Sequence, residues 1–216
     1  MLLITAAVIE ELRPLLEDSL FIPLADDIFR HASKPVLAAA AGIGLVDFAA
    51  GLEELFSRFE ISRALLTGTC GVYPSAAGEF PLKSLVSPLR VSLGDISEVS
   101  NSGYFPGPMA CRCELDDACV AGILPGIEPG GHCLTLASIT SGDTAARRAG
   151  EFYRADFEQM EAFSFARVCQ RREIPAALLL AVANFVGSRG HRQWRENAAS
   201  GAEACARVLK TRLDLL

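Results

Sequence analysis

The stretch IPAALLLAVANFVG, residues 174–187, decides the fold. From Ile174 to Ala183 it holds no charge and no polar alternation. A strand with one wet face alternates polar and apolar side chains, so this run reads as a strand covered on both faces. Shorter runs of the same kind recur at LLITAAVI (2–9), PVLAAAAG (35–42), RALLTGTCG (63–71), KSLVSPLRV (83–91) and HCLTLASIT (132–140).

Segments of helical spacing separate these runs. In GLVDFAAGLEELFSRF (44–59), Leu45, Phe48, Leu52, Leu55, Phe56 and Phe59 share one stripe, with Glu53, Glu54, Ser57 and Arg58 largely off it. A second long helix is expected from Arg192 to the C-terminus. Strands alternating with helices predict a three-layer α/β/α fold on a central mixed, largely parallel sheet, forming one domain over residues 1–216. A ligand is then expected beyond the C-terminal ends of the strands. Residues 96–131, rich in Gly, Pro, Asn, Ser and Cys, are expected to form a long loop covering that site.

Composition narrows the partner. The 216 residues are 50% hydrophobic and 21% charged, enough apolar content for a substantial single core. A net charge of −6 leaves no excess of Lys and Arg to neutralise phosphates, which argues against nucleic acid and anionic lipid and for a small molecule. No apolar run approaches the roughly 20 residues of a membrane-spanning helix. Seven cysteines, an odd number scattered through apolar stretches with no signal peptide ahead of them, predict reduced thiols and a cytoplasmic location. The Cys111–Cys113 spacing is not CxxC, and no His or second pair lies nearby in sequence, so ordinary thiols are expected rather than a zinc site.

Four places near the ends of the apolar runs carry polar groups or glycine. Glu10-Glu11 follows TAAVI; acids there serve as first-turn complements to a helix dipole or face a site. Gly68-Thr69-Cys70-Gly71 is either a tight turn or a place where a ligand meets the backbone, but it is neither GxGxxG nor followed by a GKS/T. Met160-Glu161 lies in FEQMEAFSFARVC (157–169). If that run is helical, Glu161 shares the apolar face with Phe157 and Phe165 at i−4 and i+4. A buried carboxylate left alone costs several kcal/mol, so a ligand or a salt bridge, to Arg154 or Arg171, must meet it. Asn184 ends LLLAVAN, where an amide serves a turn or holds the edge of a heterocycle.

Taken together and in this order, these places resemble the nucleoside phosphorylase and nucleosidase superfamily, in particular the futalosine hydrolases, and are also similar to methylthioadenosine/S-adenosylhomocysteine nucleosidases. QMEAFSFARVC matches the most specific signature, a Met-Glu pair before small and apolar residues and a Val-Cys. Gly42-Ile43-Gly44 and Gly68 to Gly71 match two glycine motifs. The resemblance implies hydrolysis of the N-glycosidic bond of a purine nucleoside, futalosine before others, releasing hypoxanthine in the futalosine route to menaquinone.

It further implies Glu11, with Glu10 in reserve, as the base that activates water. Glu161 would bind the ribose hydroxyls, Met160 would pack on the sugar, and Asn184 would hold the base. Gly42, Thr69, Cys70 and Gly71 would line the substrate site. On this reading Glu161 sits at a strand-to-helix junction, so the helix starts later than Phe157. No cofactor or metal is implied, and family members are usually homodimers or larger.

Three positions depart from the family pattern. Leu180 stands for an arginine, Ala183 for a serine, and Ala145 for an aromatic that stacks on the base. Asn184 replaces the aspartate of adenine-releasing enzymes, as in futalosine hydrolases; an amide suits the N7 and O6 edge of a 6-oxopurine. The alternatives are a phosphorolytic enzyme, an adenine nucleosidase, and a non-catalytic nucleoside-binding protein on the same fold.

Overall fold

A computed structural model of the chain describes residues 1–17, 20–124 and 126–214; the side chain of Cys119 lies outside the described ones. In chain order, β1 (Leu2–Ala6) and α1 (Ile9–Leu16) precede a hairpin of β2 (Phe21–Ala25) and β3 (Ile28–His31), followed by β4 (Val36–Ala40), α2 (Gly44–Arg58) and β5 (Arg63–Val72). Next come β6 (Leu85–Val86), β7 (Arg90–Leu93), α3 (Ile96–Val99), β8 (Arg112–Glu114) and α4 (Asp117–Ile123). The order ends with β9 (His132–Thr135), α5 (Asp143–Tyr153), β10 (Phe157–Glu158), α6 (Ala162–Arg171), β11 (Ala176–Phe185) and α7 (Gly190–Asp214).

The sheet is mixed, with parallel pairings at its centre and hairpins toward its edges. β11 runs parallel to β5 from Ala176 against Ala64 to Phe185 against Val72, interrupted by an irregularity between Val182 and Asn184. β1 runs parallel to both β4 and β5. Alternate residues of β11 point into different cores. Leu178, Leu180 and Val182 pack with Phe48 and Leu52 of α2 and Phe165 of α6. Ala177, Leu179 and Ala181 pack with Leu12 of α1 and Leu209 of α7. Both faces of the 174–187 run are therefore covered, and the molecule has three layers.

The stripe on α2 is buried as its spacing predicts, at Phe48, Leu52 and Leu55. Two other segments differ from the sequence reading. KSLVSPLRV divides into β6 and β7 around Pro88, whose ring leaves no N–H for a ladder. Residues 96–131 are not one irregular loop, since they carry α3, β8 and α4, and β8 closes an antiparallel pair with β7. The long C-terminal helix is α7, with residues 215 and 216 outside the described span.

The stretch from Phe157 is not helical throughout. Phe157 and Glu158 form β10, held between Val72 and Gly71 of β5 on one side and Cys133 and Leu134 of β9 on the other. The helix α6 starts at Ala162, with Glu161 as its N-cap. Pairing on both edges prevails over the local helical spacing, so Phe157 is not an i−4 neighbour of Glu161 on a helix face.

Candidate active site

One edge of β5 is shared by two strands. β1 pairs with it from Arg63 to Leu66, and β10 only at Gly71 and Val72. Between them the backbone of β5 has donors and acceptors to spare, and such groups need partners when they are buried. Glu11 supplies one, for its Oε1 accepts from the Thr69 amide at 3.1 Å.

Gly68 makes room for this contact. A Cβ there would come within 2.6 Å of Glu11 Oε1. Thr69 Oγ1 stands 3.5 Å from the same oxygen and accepts a hydrogen bond from Trp194 Nε1 at 3.1 Å. Glu10 takes no part: it is exposed and lies 3.7 Å from the Arg13 guanidinium. Burial raises the Glu11 carboxyl to about 7; the Thr69 amide opposes that rise, and the charge of Glu161 adds to it. The charge of Glu161 therefore reaches Glu11, which places the two carboxyls at one site.

Glu161 is 4% exposed. Its Oε1 accepts from the Gly44 amide at 2.7 Å, and its Oε2 from Gln159 Nε2 at 2.5 Å. Burial pushes its pKa up, while these donors oppose the shift. Among the described residues it forms no ion pair with Arg154, Arg171 or any other cation. Among the described residues each oxygen accepts one protein donor, which leaves acceptor capacity for a ligand. Glu158 differs, since its buried carboxylate takes Tyr73 Oη at 2.6 Å and both the amide and the hydroxyl of Thr140, a set that ties β10 to the segment before α5.

Asn184 lies on β11 immediately after the irregularity and opposite Gly71. A bulge re-aims the side chains that follow it. The Asn184 carboxamide lies over Gly71, where a Cβ would meet its Nδ2 at 2.9 Å, and that Nδ2 donates to Phe185 O at 3.1 Å.

The remaining candidates divide. Met160 is half-buried beside Glu161. Cys70 points into the core with Leu66 and Val72, and burial pushes its thiol far up, so only its backbone is open to a ligand. Gly42, with φ at +110°, shapes the turn before α2, whereas Gly44 makes the contact with Glu161. Leu180 and Ala183 are buried. Ala145 lines an open cavity of about 550 Å³ with Ile96, Val99 and Arg148, and a second of about 380 Å³ lies beside Phe185, Ser188 and Arg189. Neither cavity is lined by Glu11 or Glu161; both border Asp143, on the Asn184 side of the molecule. The carboxylate pair carries more chemical weight than these cavities, because Glu161 is buried, its charge reaches Glu11, and neither carboxyl is met by a cation among the described residues.

Several polar residues that support this arrangement escaped the sequence reading. Gln193 Oε1 accepts from the Phe185 amide at 3.0 Å, and Asn197 Nδ2 donates to Ala183 O at 2.9 Å, so α7 grips the bulge on both sides of Asn184. Trp194 and Gln159 act in the same way on Thr69 and Glu161. Gln159 carried a usable signal, a polar side chain two residues from Glu161 in a run that otherwise reads as core. The α7 residues look like the polar face of any helix. Among the described residues no group of three or more His, Cys, Asp or Glu is arranged to hold a metal ion. No described helix is long and apolar enough to cross a membrane.

A family model described as the phosphorylase superfamily matches residues 3–214. The chain belongs to the phosphorylase superfamily. Solved structures agree on the fold. A mutant Helicobacter pylori nucleosidase (MTAN) with 5′-methylthioadenosine in its active site matches at 20% identity and TM-score 0.83, covering 100% of this chain and 98% of that one. A Helicobacter pylori futalosine hydrolase mutant matches at 20% identity and TM-score 0.83, covering 100% and 99%. A Borrelia burgdorferi protein described as a putative 5′-methylthioadenosine/S-adenosylhomocysteine nucleosidase, bound to adenine, matches at 17% identity and TM-score 0.81 over the full length of both chains. No curated protein matches significantly. In this member of the phosphorylase superfamily the Met-Glu pair, the β5 glycines and the bulged end of β11 all lie around the carboxyl end of β5.

Proposed function

We propose that this chain hydrolyses the N-glycosidic bond of a purine nucleoside, with futalosine as the substrate and hypoxanthine as the released base. The observation that carries the reading is the carboxylate pair. Glu11, whose carboxyl burial raises to about 7, lies at the end of β5 within reach of the charge of Glu161, which is held by neutral N–H donors. A carboxyl with a pKa of about 7 suits a base that must take a proton from water at physiological pH.

In this mechanism Glu11 accepts a proton from water as the water oxygen bonds to C1′ of the ribose. The bond from C1′ to the purine nitrogen breaks, its electron pair leaves with the base, and the base takes up a proton from solvent to become hypoxanthine as Glu11 releases its own. The sugar passes through an oxocarbenium-like state, as at other glycosidic centres. Glu161 accepts hydrogen bonds from the ribose hydroxyls and faces the developing positive charge, and Met160 packs on the sugar. Asn184 offers its amide to the N7 and O6 edge of the leaving base, a neutral partner matched to a 6-oxopurine.

The phosphorolytic alternative needs an anion site where the chain carries Glu11, and a carboxylate there disfavours phosphate. One observation favours a non-catalytic reading: Leu180 and Ala145 offer no polar or aromatic group to substrate. The deciding experiment is a product assay over futalosine, inosine and methylthioadenosine, with and without phosphate. Hypoxanthine released from futalosine without phosphate is the expected result. Adenine release from methylthioadenosine alone would reassign the substrate. Calorimetric binding without release of any base would leave a binding protein. We propose a cytoplasmic homodimer or higher homo-oligomer as the working form.

A further inference from the structure

We propose that Gln159 is a positioning residue that fixes the rotation of the Glu161 carboxylate and keeps it an acceptor for sugar hydroxyls. The inference rests on the ribose-binding reading of Glu161 and adds a residue to it. Gln159 is 7% exposed, and its carbonyl Oε1 accepts from the amides of Glu161 at 2.8 Å and Ala162 at 2.5 Å. Those two amides belong to the first turn of α6, where N–H groups have no helical partner. With both acceptor positions of Oε1 engaged, the orientation of the amide is set, because a flipped group would turn NH₂ against two N–H donors.

The consequence falls on Glu161. Gln159 Nε2 donates to Glu161 Oε2 at 2.5 Å, and the Gly44 amide holds Oε1 from the opposite side. One side chain therefore caps α6 and orients the carboxylate that starts it. A carboxylate in a low-dielectric site needs donors to stay charged, and here neutral N–H groups supply them in place of a cation. The titratable groups facing the pair are Glu11 on α1 and Cys133 on β9, the latter a buried thiol whose pKa rises partly through the charge of Glu161. Neither can replace the lost donor.

Gln159→Glu separates capping from orientation. A glutamate keeps the acceptor for the α6 amides but sets a second carboxylate oxygen against Glu161 Oε2. At acidic pH the two carboxyls share a proton and the geometry survives; as pH rises both ionise and repel. We expect KM for futalosine in Gln159→Glu to climb at least tenfold between pH 6 and 9 relative to wild type, with kcat changed less. Carboxyl-resolved NMR gives a readout that needs no substrate, in which the Glu161 titration should move upward by a pH unit or more. An unshifted Glu161 titration, or a KM that follows wild type across the range, overturns the proposal.

If Gln159→Glu does not fold, the exchange variant Gln159→Glu/Glu161→Gln restores one amide against one carboxyl. It should fold and lose nucleoside affinity by at least tenfold. Affinity like wild type would overturn the proposal. Wild-type protein that releases no base would defeat the hydrolase reading alone, since the NMR shift tests Gln159 without turnover.

Discussion

The carboxamide of Asn184 occupies the space that a side chain on Gly71 would need. A Cβ at residue 71 would lie 2.9 Å from Asn184 Nδ2 and 2.8 Å from Val186 Cγ2, both closer than real contacts allow. Gly71 is therefore required by its neighbour across the parallel β5–β11 pair rather than by its own backbone angles. Gly71→Ala should displace Asn184 at a cost of roughly 1–3 kcal/mol, the usual range for overpacking. We expect kcat/KM on futalosine to fall at least tenfold, and Asn184→Ala to add little in the Gly71→Ala background. Full additivity of the two changes would show that Gly71 does not act through Asn184.

The pH profile should report Glu11. A base must be ionised to act, so kcat/KM should rise with pH through an acid limb near 7. Glu161 contributes to that position through its charge, and removing a like charge lowers a carboxyl pKa. Glu161→Gln should therefore move the limb to lower pH in whatever residual activity remains. Glu11→Gln should reduce kcat roughly a hundred- to ten-thousand-fold and abolish the limb. A limb that persists unchanged in Glu11→Gln would assign the base elsewhere.

The same carboxyl should leave a mark on stability. Its folded pKa of about 7 lies above the ordinary value of 4.5, so the unfolded chain loses this proton first as pH rises. The stability linked to Glu11 is fully present below about 4.5 and is lost as pH climbs to about 7. At about 1.4 kcal/mol per pKa unit, the loss reaches roughly 3 kcal/mol as an upper bound. Glu11→Gln, which mimics the protonated form, should match wild type in urea unfolding at pH 4 and exceed it at pH 8. Equal stability at both pH values would mean that burial does not penalise this charge.

How far these features were legible depends on the range of the interactions behind them. The buried character of 174–187 and the stripe on α2 are local patterns that burial simply expresses, and both appear in the structure. Glu161 announced itself as a charge among apolar neighbours. Spacing alone starts α6 too early, because the helical pattern from Phe157 is genuine while the pairing that overrides it comes from Val72 and Cys133, far away in sequence; the strand-to-helix junction at Glu161 was legible only through the family resemblance. The choice between Glu10 and Glu11 turns on which side of α1 faces the gap in the β5 ladder. The grip of Gln193 and Asn197 on the bulge depends on how α7 lies across β11. No local window contains those relationships.

Trp194 offers a final test, because it is the only tryptophan in the chain and its indole is bonded to the site. An indole N–H can only donate, so Thr69 Oγ1 accepts from Trp194 and keeps its own proton free to turn toward Glu11, 3.5 Å away. Emission from Trp194 should therefore respond to the charge on Glu11, with a transition near pH 7 that disappears in Glu11→Gln. Thr69→Val, which keeps the shape and removes the hydroxyl, should shift the emission and lower its anisotropy as the indole loses its anchor. The ring of His191 stacks on Trp194 with centroids 6.0 Å apart and is the other neighbour that can quench the indole. A transition that survives Glu11→Gln but vanishes in His191→Gln would assign the signal to the imidazole and break the proposed link from Trp194 through Thr69 to Glu11.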